Sequence, residues 1–296
     1  MSASRSRLLR LAAVVVIVLS TGDAFARKPD YAMPPTPAIA APMAFKVVPA
    51  EPVDASQAGE KPRHGLAAFA DPLYLDDGHR ITYRQEYGGG GLAVGLLLGP
   101  LGAAANAKAI QSANERESAA LHGKFPFTPE DLLGRVLAAR PPVDGATVEP
   151  QLVPRIFVTR DADEQLIFWA MIDVTLDAWR GRYSALVPRR VPFGEVTQGL
   201  SADSLRDLES GLQGAYAAAL DVMADDMSGR LAAFGTQRVK IEALSPRFPA
   251  MGKYEHALRT DAHVIVRLNA PGPIPASGVN GTGVLVVPTA DAQFAR

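Results

Sequence analysis

From Ser201 to Phe234, apolar residues return every three or four positions: Leu205, Leu208, Leu212, Tyr216, Leu220, Met223, Met227, Leu231 and Phe234. That period places them on one stripe of a long amphipathic helix, which must be buried against another layer. Ser201 is placed to cap the start and Asp203 to complement the positive helix end. Gly211 and Gly214 are the expected break points of so long a helix. Met223 and Met227 fall on the stripe and read as packing residues.

The layer that receives this helix reads as sheet. Leu152–Thr159 forms one strand, 160–164 supplies turn residues, and Gln165–Ala178 forms a second. In the outer half of the second, Ile172, Val174 and Leu176 alternate with Asp173, Thr175 and Asp177, which predicts one buried and one wet face. Its inner half, Leu166–Met171, is apolar on both faces and predicts cover on both. Arg182–Val187 is expected to pair next in an antiparallel meander. Further strands are expected at Ile81–Tyr87, Gln237–Leu244, Ala262–Leu268 and Gly283–Val287. Thr128 followed by Pro129, Glu130 and Asp131 opens a short helix to Ala139. The expected fold class is α+β: an antiparallel sheet of about six strands with the long helix and shorter ones packed on it.

The first 26 residues carry Arg5, Arg7 and Arg10, then the apolar run Leu11–Leu19, then Ala24-Phe25-Ala26. A basic start, a short apolar run and an A-x-A exit predict a cleavable secretory signal peptide. Residues 27–64, punctuated by eight prolines, predict a disordered Pro/Ala-rich linker, with Met43–Val48 as an early short strand inside it. A single α+β domain is expected over 65–296, including a Gly-rich helical segment at 88–121. The address is a periplasm or outer-membrane surface. With no cysteine, there is no lipidated N-terminal thiol, no disulfide and no thiolate metal site. The leader holds three arginines and one aspartate, so its removal takes the net charge from −1 to −3. That balance argues against nucleic acid as a partner.

Site chemistry is sparse. Asp76-Asp77-Gly78-His79 reads as a turn rather than a metal site, and Asp161-Ala162-Asp163 as a hairpin turn. Gly88, Gly90 and Ala93 match G-x-G-x-x-A, but no second strand ending in an acid follows, so no dinucleotide site is expected. No serine lies in G-x-S-x-G or S-x-x-K. No catalytic, metal or cofactor residue is therefore assigned.

Two features read as contacts. Gly91, Gly95, Gly99 and Gly102 recur along a glycine-zipper segment, 91–102, suited to close helix approach or membrane contact. Arg155, Arg160, Arg180, Arg182, Arg189 and Arg190 cluster around the meander and suit anionic head groups or an acidic protein if several share a face. The sequence thus points to an exported, non-enzymatic binding or assembly module whose partner is an envelope protein, a membrane surface or a second copy of itself. Two alternatives stand beside it: a periplasmic hydrolase with a site assembled from scattered residues, and a protein that joins membranes or itself through 91–102.

Overall fold

The computed structural model describes residues 38–50, 73–84, 109, 111–161, 163–231, 239–241, 243, 253–254, 257–268 and 282–294. Its central strand is β5 (Gln165–Leu176), flanked by β4 (Gln151–Arg160) and β6 (Trp179–Leu186), both antiparallel to it. This is the expected meander. The first turn is closed by Asp161, whose Oδ1 accepts from the Asp163 and Gln165 N–H groups at 2.9 Å each. The second is the two-residue turn Asp177-Ala178, with Asp177 at φ 52°. Aspartate tolerates that left-handed backbone better than most residues.

The expectation of an antiparallel sheet is corrected. β3 (Ile81–Tyr83) and β1 (Lys46–Val47) lie parallel to β4, and β12 (Thr282–Pro288) lies parallel to β6. β2 (Leu73–Tyr74), β7 (Val191–Pro192), β10 (Ala257–Arg259) and β11 (His263–Leu268) complete ten paired strands among the described residues, and the sheet is mixed. The reason is covalent. Parallel neighbours need a crossover, usually helical. Between β3 and β4 the chain carries α1 (residues 111–121) and α2 (Pro129–Ala138). Between β6 and β12 it carries α3 (Phe193–Gln198) and α4 (Ala202–Met227).

α4 is the long helix the apolar stripe demands. Ser201 caps it by accepting from the Ser204 N–H at 3.1 Å. It runs through Gly211 and Gly214 without a break. It stops earlier than the periodicity suggested: Gly229, at φ 68°, turns the chain just after the cap residue Ser228. Thr128 caps α2 by accepting from Asp131 N–H at 3.1 Å.

β5 divides two cores. Leu166, Phe168, Ala170, Ile172 and Val174 face one, with Leu208, Leu212, Tyr216, Leu220 and Met223 of α4. Ile167, Trp169 and Met171 face the other, with Val239, Ile241, Val264, Leu285 and Val287. That second face is covered in part by a small sheet of β13 (Ala292–Phe294), β8 (Val239–Ile241) and β9 (Lys253–Tyr254). Burying a large apolar side chain is worth about 1.5–3 kcal/mol, so the two-sided strand is a principal source of stability.

Part of the expected linker is folded. Lys46 and Val47 pair with Gln151 and Leu152, Met43 bridges Val148, and Ile39 N–H donates to Met227 O at 2.7 Å. Ile39, Met43, Phe45 and Val47 rest on the helix-side core. The residue types explain this: between prolines, these four supply apolar area that a free linker would leave in water. The signal peptide and the glycine-zipper residues Gly91, Gly95, Gly99 and Gly102 lie outside the described residues.

Candidate functional site

Side chains alternate across a strand, so residues two apart share a face. Arg180 and Arg182 therefore share one face of β6, and the register sets them opposite Thr175 and Asp173 of β5. On β4, Arg155 pairs with Met171 and so lies diagonal to Asp173 on that face. Three arginines and one aspartate thus gather at one end of the second sheet face.

The geometry is specific. Arg182 grips Asp173 through two nitrogens: Nε donates to Oδ1, and Nη2 to Oδ2 at 2.6 Å. Arg155 Nε donates to Oδ2 at 3.3 Å, and its Nη1 to the carbonyl of His79 at 3.1 Å. All three side chains are nearly withdrawn from water: 12% exposed for Asp173, 10% for Arg155 and 5% for Arg182. The wet face expected for Asp173 is thereby corrected. Its carboxylate is buried because two guanidiniums come with it, the condition under which a charge tolerates burial.

The cluster is not self-sufficient. Arg182 Nη1 is buried and has no hydrogen-bond partner among the described residues. The planar guanidinium fixes the reason: with Nε and Nη2 turned to Asp173, Nη1 points away from it. Leaving such a donor unmet costs about 1–3 kcal/mol, and more for a charged group. Arg180 is exposed and makes no ion pair among the described residues. Among the described residues, three arginines thus stand around the Asp173 carboxylate.

The supporting loop is built locally. Asp76 Oδ1 accepts from the N–H groups of Arg80 and Ile81 at 2.9 and 2.8 Å, and Oδ2 accepts from Arg80 Nε at 2.8 Å. The segment 76–79 is thus a turn. Burial raises the Asp76 pKa, but the bonds from Ile81 and Arg80 outweigh it and hold the carboxyl below its ordinary range. The turn places His79 at φ 55°, which presents its carbonyl to Arg155. The His79 ring meets Tyr74 edge-on, with centroids 4.5 Å apart. From the other side of the sheet, Tyr216 of α4 donates to the Arg155 carbonyl at 2.7 Å. Burial, then the charge of Glu130, pushes the Tyr216 phenol well above its usual pKa against the opposing charge of Arg155, so it stays a donor.

The other arginines of the meander lie elsewhere. Arg189 pairs with Asp207 at 2.8 Å, and Arg190 with Asp161 at 2.8 Å. Arg160 pairs with Glu117 at 2.9 Å and Glu164 at 3.0 Å, and stacks over Phe193. Of the six, only Arg155, Arg180 and Arg182 belong to the basic face. Asp173 was the residue missed; its signal was its mirror placement with Arg182 about the Asp177-Ala178 turn. Among the described residues, no group of three or more His, Asp or Glu side chains is placed to hold a metal ion, and no helix is long and apolar enough to cross a membrane.

Comparison with family models, curated proteins and solved structures finds no match to this chain. The fold and the site are therefore the basis for any functional reading.

Proposed function

We propose that this chain is an exported, non-enzymatic binding module of a bacterial envelope, and that the basic end of its second sheet face engages the partner. One observation carries the proposal: in a chain of formal charge −1, Arg155, Arg180 and Arg182 gather on one face around the Asp173 carboxylate. Concentrated positive charge attracts anionic surfaces over roughly a Debye length, about 8–10 Å at moderate salt. The basic, apolar and A-x-A pattern of residues 1–26 supports export. The glycine-zipper residues 91–102 are proposed as a second contact, for self-association or membrane.

The test is fractionation of the full chain expressed in a Gram-negative host. The expected result is processing after Ala26 and recovery with the envelope. Arg180→Gln should shift protein from the envelope pellet to the soluble periplasmic fraction. Unprocessed protein in the cytoplasm would end the export proposal, and an Arg180→Gln distribution like wild type would end the role of this face. Replacing Gly95 and Gly99 with Leu should change oligomer size or membrane recovery; unchanged sedimentation would remove the segment from the proposal.

A further inference from the structure

We infer that the Arg155–Asp173–Arg182 cluster, with Arg180 beside it, is a site for a phosphate group, either free inorganic phosphate or the head group of an anionic phospholipid. The inference rests on the proposed binding role of this face and names its ligand chemistry. Three observations lead to it. Arg182 is gripped by Asp173 on one edge only, and its Nη1 is buried, directed away from the carboxylate and unmatched among the described residues. An oxyanion supplies the acceptor that this donor lacks.

Among the described residues, three guanidiniums stand around the Asp173 carboxylate, so the site favours an oxyanion: free phosphate brings up to two negative charges at neutral pH, and a phosphodiester head group brings one, spread over oxygens that accept from guanidinium N–H groups. Arg180 is two residues along the same face, about 6.6 Å from Arg182 along the strand, and it is exposed and without an ion pair among the described residues. It stands on the solvent side, where an incoming anion meets it first. Asp173 has a separate role: it holds both buried guanidiniums in fixed orientation.

The experiment is titration calorimetry of the full chain with inorganic phosphate at low ionic strength, with chloride at matched ionic strength as control. In parallel, flotation uses phosphatidylglycerol vesicles and phosphatidylcholine vesicles. Saturable binding of about one phosphate per chain is expected. Arg180→Gln, a surface change, should leave the melting temperature unmoved and weaken phosphate binding by about tenfold or more, as loss of a charge-assisted contact implies. Arg182→Met should abolish it; if that variant does not fold, Arg180→Gln still decides.

Flotation with phosphatidylglycerol but not phosphatidylcholine, lost in Arg180→Gln, assigns the lipid head group. Phosphate binding without flotation assigns the free ion. A wild-type chain that binds neither probe overturns the inference, as does an Arg180→Gln chain that binds phosphate like wild type. If wild type ignores both probes but envelope recovery still depends on Arg180, the binding role stands and the phosphate assignment alone falls.

Discussion

Replacing Asp173 with Asn should destabilise this protein far more than an ordinary ion-pair deletion. The substitution keeps the shape of the side chain and removes its charge. Arg155 and Arg182, 10% and 5% exposed, would then be two buried cations without an anion. An exposed ion pair contributes about 0–1 kcal/mol. Removing one partner of a buried pair costs about 3–5 kcal/mol, because the remaining charge stays desolvated. The burial here places Asp173 in the second class. For a fold of this size that loss lowers Tm by about 6–20 °C. Urea denaturation and calorimetry at neutral pH measure both quantities. A companion variant sharpens the test: Arg155→Met, Asp173→Leu and Arg182→Met together replace the ions with apolar groups of similar volume, and should recover much of the loss. A single-variant loss below about 1 kcal/mol would show that water reaches the cluster and hydrates the Arg182 Nη1 donor.

Other consequences follow from individual contacts. Gly181→Ala puts a methyl into the Trp179 ring, which lies over that glycine, and should cost about 1–3 kcal/mol through overpacking; a neutral result in urea denaturation would place the ring elsewhere. Ser201→Ala removes the cap of α4 and should cost about 1 kcal/mol, whereas Ser201→Asp should hold stability near wild type; equal losses in both would deny the cap. Asp76 contributes a pH dependence. Its folded carboxyl lies below the ordinary value of 3.8, so its stabilisation is present above that value and lost as pH falls through the folded pKa. The stability gap between wild type and Asp76→Asn should be constant near neutrality and close on acidification below about pH 4. A gap that widens on acidification would reverse the sign of the linkage.

Local pattern carried the secondary structure well, and sequence distance explains what it did not carry. The stripe from Leu205 to Met227 and the caps Ser201 and Thr128 are read directly from spacing, since each depends on neighbours within one or two turns. The two-sided burial of Leu166–Met171 was legible for the same reason. Strand direction was not, although the clue was present: helices stand between β3 and β4 and between β6 and β12, and such insertions are what parallel neighbours require. The early strand expected at Met43–Val48 is present as β1, whereas the packing of Ile39 before it was obscured by the prolines around it, which dominate composition. Asp173 misled because alternation marks a polar residue as wet. Its burial depends on Arg155 of another strand and on the exact hairpin turn, and without that turn the pairing with Arg182 cannot be deduced.

The proposed phosphate site pairs the unmet Nη1 donor of Arg182 with the exposed Arg180 beside it. The phosphorus-31 resonance of inorganic phosphate reports on it directly. Titrated with the full chain, the resonance should shift and broaden until about one phosphate per chain is bound, and should stay close to its free position with Arg180→Gln. A phosphate signal that wild-type protein leaves unmoved at every ratio would rule out a phosphate site on this face.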